Sequence, residues 1–124
     1  MKNLLALDFG TKRIGLAISV KGIVSPLKTI KNDNLTIDDI KDTCQKYDIG
    51  RIYVGLCQGS ITILTKKFVK NLKSEISIPI KTVEETASTI EAEQIFLKNK
   101  NKKKNYKNKI DSISAAVILR RLQI

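Results

Sequence analysis

Leu4 to Leu7 is an unbroken apolar run that ends on Asp8, the pattern of a strand buried on both faces. Gly10-Thr11-Lys12 supplies a turn, and Ile14-Gly15-Leu16-Ala17-Ile18 returns as a second strand. Lys21-Gly22 turns the chain again, and Ile23 to Ile30 predicts a third strand. Pro26 cannot donate to a ladder, so it belongs at a sheet edge or a bulge. Three short strands joined by tight turns make an antiparallel meander.

The period then changes. Thr36-Ile37-Asp38-Asp39 resembles a capping signature, with acids suited to the positive end of a helix dipole. Ile37, Ile40, Cys44 and Tyr47 follow at helical spacing to about Asp48, and Gly50 closes the unit. Arg51 to Cys57 reads as a fourth strand, Gln58-Gly59-Ser60 as a loop, and Ile61, Leu64, Phe68 and Leu72 as one face of a second helix. Ile78 to Val83 makes a fifth strand that ends on Glu84-Glu85. Ser88-Thr89-Ile90-Glu91 is a capping box that opens a third helix reaching about Leu97. A last helix, from about Asp111 to Leu122, directs Ile113, Ala116, Val117 and Leu119 inward. The order β-β-β-α-β-α-β-α-α predicts an α/β domain: a mixed five-stranded sheet with helices on both faces. Residues 1–124 fit a single domain with one core and no internal repeat.

Charge narrows the function. Lys and Arg number 23 against 12 acids, a net charge of +11, and such an excess favours a polyanionic partner. Seven Lys, four Asn and one Tyr fill residues 98–109 without one aliphatic side chain. That stretch cannot join a core and reads as a basic loop, with Lys102, Lys103 and Lys104 at its centre. The chain has no histidine, which excludes Ser-His-Asp and Cys-His catalysis and His-ligated zinc. Cys44 and Cys57 lie in apolar surroundings without CxxC spacing and read as reduced core residues. Met1-Lys2-Asn3 leads straight into a strand, and no apolar run nears the ~18 residues of a membrane span. These features predict a cytoplasmic protein with no membrane partner.

Carboxylates must then carry any acid–base or metal chemistry. Asp8 leaves the end of a buried strand just before a Gly-Thr turn, where Gly10 permits close approach and Thr11 can meet an anion. Asp8 is equally suited to capping that turn. Glu84 and Glu85 end a strand on the side where the first strand ends, and alternation directs only one of them to Asp8's face. Their other reading is an acidic helix start. Asp111 either caps the last helix or, with Ser112 as the cap, is left for the site. Acids from separate strand and helix ends suit Mg²⁺ or Mn²⁺, two ions ~3.5–4 Å apart activating water and stabilising a leaving oxygen. Lys12, Arg13 and the 98–109 run would neutralise backbone phosphates.

Asp8-Phe9-Gly10-Thr11-Lys12-Arg13-Ile14-Gly15-Leu16-Ala17 resembles the opening motif of the YqgF (RuvX-like) family. Val54-Gly55-Leu56 resembles its fourth-strand motif, and Glu84-Glu85-Thr86-Ala87-Ser88-Thr89 its acidic motif. Asp111-Ser112-Ile113-Ser114-Ala115-Ala116 is similar to the signature that opens its last helix. The resemblance implies an RNase H-like fold and a nuclease that processes the 5′ end of precursor 16S rRNA, in contact with ribosomal particles. It equally implies kinship with Holliday-junction resolvases, for which branched DNA is the substrate. By position, Asp8, Glu85 and Asp111 would bind metal, with Glu84 in the family's Asp position, and Thr11, Lys12 and Arg13 would meet the nucleic acid. Thr86 stands where the family has Arg, Cys57 where it has Pro, and the 58–60 loop is short. Those departures leave room for a non-catalytic rRNA-binding assembly factor. A sugar-kinase or actin-like ATPase shares the Asp-x-Gly-Thr opening but needs two such domains. The oligomeric state expected is a monomer or a homodimer.

Overall fold

The computed structural model describes residues 3–56, 59–84 and 113–120. Its first three strands are β1 (Asn3–Phe9), β2 (Arg13–Val20) and β3 (Ile23–Lys31). Helix α1 (Thr36–Lys46), β4 (Ile49–Leu56), α2 (Ile61–Glu75) and β5 (Ile80–Glu84) follow, and residues 113–120 are helical. The sheet has five strands in the order β3-β2-β1-β4-β5. β1 pairs antiparallel with β2 and parallel with β4, and β5 continues the parallel half. The expected mixed sheet is therefore present.

Each end of the meander is built by local chemistry. Lys21 and Gly22 both have positive φ, 52° and 82°, as the tight turn between twisted strands demands. β3 is an edge strand, and the register of β2 on β3 shifts between Leu16 and Ala17, opposite Lys28 and Pro26. Pro26 thus sits both at an edge and beside a bulge, where its missing N–H costs no ladder bond.

Strand alternation separates two cores. Leu5, Leu7 and Phe9 of β1 face α1 and α2, meeting Ile40, Cys44, Phe68, Val69 and Leu72. Ala6 and Ala17 face the other way, against Ala115, Ala116, Ile118 and Leu119. Small side chains on both partners let that helix lie close to the sheet. Helices therefore cover both faces.

Three local expectations need correction. Thr36 is the first helical residue rather than a cap. Its buried hydroxyl donates to the Lys31 carbonyl at 2.9 Å and accepts the Asp33 N–H at 2.8 Å, tying the β3–α1 turn together. Gly50 lies inside β4; the left-handed residue that ends the helical unit is Asp48, φ 49°, a conformation Asp tolerates better than most residues. Leu64 is 45% exposed, while Thr65 takes the inward position. The Thr65 hydroxyl donates to the Ile61 carbonyl at 2.9 Å and so enters the core already satisfied. The expected third helix, the basic 98–109 stretch, Cys57, Glu85, Thr86 and Asp111 lie outside the described residues. Among the described residues no helix is long and apolar enough to cross a membrane.

Candidate active site

β1 delivers Asp8 to the carboxyl edge of the sheet with glycine on either side. Its register partners are Gly15 on β2 and Gly55 on β4. Residues opposite one another across a ladder share a face, so no side chain stands directly across from the carboxylate on either strand. Phe9, the next residue, turns to the opposite face and packs on Phe68 of α2 with ring centroids 5.0 Å apart. Burying Phe9 to 8% exposure holds the last turn of backbone that carries Asp8.

The turn that follows is tightly specified. A Cβ on Gly10 would lie 2.5 Å from the Arg13 carbonyl oxygen, closer than real Cβ atoms come to any neighbour. The same turn is fastened to the end of β3 by Asn32. Its side-chain amide donates to the Gly10 carbonyl at 2.9 Å, and its backbone N–H donates to the Lys12 carbonyl at 3.0 Å. These two bonds hold a segment that has no ladder partner of its own. Gly15 and Gly55 belong to the motifs quoted above but were not placed at the site, and Asn32 was not singled out. The glycines carry no reactive group, and only the strand register shows that they border Asp8. Asn32 had one signal, a polar turn residue just after a strand, and that signal does not say what it binds.

Asp8, Gly10, Thr11, Lys12, Arg13 and Ile61 line an open pocket of about 270 Å³. A half-buried carboxylate thus meets a hydroxyl and two cations at one sheet edge. Asp8 can contribute oxygen ligands to a hard cation, and the cations can contact phosphate oxygens. Among the described residues no three His, Cys, Asp or Glu side chains converge. Of the expected acids, Glu84 is placed by its backbone, opposite Leu56 at the carboxyl end of β5. Its Cα and that of Asp8 are separated by two strand spacings, about 10 Å. Glu85 and Asp111, like Lys102, Lys103 and Lys104, lie outside the described residues.

The comparisons with known proteins agree with this architecture. A family model described as "RuvX: Holliday junction resolvase" matches residues 2–122. A Sulfurihydrogenibium protein named "Putative pre-16S rRNA nuclease" is 41% identical over 96% of this chain and 88% of its own. Its namesake in Halothermothrix orenii is 31% identical over 94% and 90%. Among solved structures, Thermus thermophilus RuvC bound to a Holliday junction superimposes with a TM-score of 0.61 at 11% identity, covering 99% of this chain and 97% of RuvC. The Fowlpox virus resolvase bound to Holliday junction DNA gives 0.58 at 13% identity, over 98% and 99%. Those two likenesses establish the RNase H-like fold. With a family match across nearly its whole length, this chain belongs to the RuvX family, and it is a nuclease, a hydrolase of phosphodiester bonds.

Proposed function

We propose that the chain is a divalent-metal-dependent endonuclease that trims the 5′ end of precursor 16S rRNA. The observation that carries the chemistry is the placement of Asp8 between Gly15 and Gly55 at the mouth of a basic pocket. The choice of RNA rests on the names of the relatives, 41% and 31% identical.

The metal ligands we assign are Asp8, Glu85 and Asp111. Val83 pairs with Gly55, which pairs with Asp8, so Val83 shares Asp8's face. Glu85 is two positions beyond Val83 and has the same parity, which favours it over Glu84. Asp111 is two positions before Ile113, the first described residue of the helix that packs on Asp8's face of the sheet. An all-carboxylate donor set in a chain without histidine fits Mg²⁺ or Mn²⁺. When bound, a pair of such ions supplies an activated water and neutralises charge on the leaving oxygen. The protein's own part is to hold the scissile phosphate. Thr11 donates its hydroxyl, Lys12 and Arg13 balance the phosphate charge, and the rigid Gly10 turn keeps these groups in register with Asp8. A cytoplasmic setting, among ribosomal particles, follows from that substrate.

The second reading is branched DNA, which the family description favours. Symmetric cutting of a junction needs two sites and hence a homodimer, whereas end-trimming of RNA suits a monomer. Cleavage of a pre-16S transcript and of a four-way junction, each with Mg²⁺ or Mn²⁺, separates the two. We expect product from the transcript, lost on chelation and lost in Asp8→Asn. Undiminished cleavage by Asp8→Asn overturns the assignment of chemistry, and product from the junction alone overturns the choice of RNA.

A further inference from the structure

Beside the Asp8 pocket lies a second, larger groove of about 630 Å³, on the β3 side of the Gly10 turn. Arg13, Thr29, Lys31, Asn32 and Asp33 are among its walls. The strand register shows which of these residues share Asp8's face. Asp8 pairs with Gly15, Gly15 with Thr29, and Arg13 with Lys31. Arg13 and Gly15 are two residues apart on β2, so Arg13, Thr29 and Lys31 all belong to Asp8's face of the sheet.

Two cations, Arg13 and Lys31, therefore occupy directly opposite positions across an antiparallel pair. The groove has three cations among its walls, Lys12, Arg13 and Lys31, against one carboxylate. That carboxylate, Asp33, accepts the Leu35 N–H at 2.9 Å through Oδ1 and serves the β3–α1 turn. Thr29 adds a hydroxyl to the same face. Cations paired across a ladder, with a hydroxyl alongside, match a phosphodiester. From Asp8 to β3 is two strand spacings, about 10 Å, too far for the phosphate being cut and suited to one further along the same strand.

We propose that this groove is a flanking phosphate subsite, in which Lys31 and Thr29 of β3 hold a backbone phosphate of the substrate strand away from the scissile bond, with Arg13 on the strand between them and Asp8. The proposal rests on the nuclease reading for its ligand, and it assigns the edge strand β3 a part in substrate binding. The subsite contributes charge and register, and it reads no base.

Binding of a fluorescent single-stranded RNA across a salt series, without divalent metal, tests it. Lys31→Gln should weaken binding several-fold near 0.1 M salt and lower the slope of log K against log salt by about 0.7. Lys31→Arg should restore both. Lys66→Gln, exposed on α2 over the opposite face, should leave both unchanged. In cleavage assays Lys31→Gln should raise KM and leave kcat at saturation as it was. Thermal melts of each variant report whether it is folded. A Lys31→Gln slope equal to that of wild type, or an equal effect from Lys66→Gln, overturns the subsite while leaving the nuclease reading intact. Failure of the wild-type chain to bind RNA or junction DNA overturns both.

Discussion

The side-chain amide of Asn32 donates to the carbonyl of Gly10 at 2.9 Å, so the end of β3 holds the turn that follows Asp8. Removing the amide leaves a part-buried carbonyl without that donor. Asn32→Ala should therefore cost about 1–2 kcal/mol, read as a lower urea midpoint. Cleavage should fall by more than stability, since the freed segment carries Thr11 and Lys12. A variant as active as wild type would show that the turn keeps its shape without the clamp.

Gly10 has no room for a methyl group. In Gly10→Ala the new Cβ must displace the Arg13 carbonyl from 2.5 Å, a backbone shift expected to cost about 1–3 kcal/mol. Chemical denaturation measures the loss. Gly22→Ala is the useful contrast: its surroundings are open, and only its φ of 82° opposes the substitution. It should lower stability by about 1 kcal/mol and leave cleavage untouched.

Phe68 supplies the ring against which Phe9 is packed. Phe68→Ala should destabilise the fold by about 3–5 kcal/mol, the largest effect among these variants. Phe68→Leu keeps most of the volume and should cost less than half as much. If Phe68→Leu stays folded and its kcat falls, the ring pair positions Asp8 as well as stabilising the core.

Burial pushes the Cys44 thiol up to about 11. Its thiolate is disfavoured in the folded state, so the folded chain binds the proton more tightly than the unfolded chain does. Stability from this group is full below about pH 8.5 and declines as pH rises towards 11. In a Cys57→Ser background, iodoacetamide at pH 8 should not label the native protein and should label it readily in denaturant. Rapid native labelling would mean that α1 opens locally from the sheet.

Much of the fold was legible because alternation and helical spacing are properties of neighbouring residues. The meander, the edge position of Pro26 and the inward face of α1 all follow from such spacing. Leu64 misled because a Thr that bonds its own helix backbone is as good a core residue as a Leu at that position. The site was less legible. Asp8 announced itself through its motif, yet the open lane around it is made by Gly15 and Gly55, 7 and 47 residues away in sequence. Asn32 likewise acts across 22 residues. Long-range register decides such contacts, and composition carries no trace of it.

The alternation of Asp8 and Phe9 has a further consequence for how the chain avoids error. If β1 slipped by one residue against its neighbours, Phe9 would be turned towards the glycine lane and Asp8 driven among the rings and aliphatic side chains beneath α2. The first outcome forfeits an aromatic pair and the second buries a charge in hydrocarbon, so the misaligned sheet is unstable on two independent counts. A folded molecule with its acid in the wrong place is thereby ruled out. The aromatic anchor acts as a proofreading device for the carboxylate beside it.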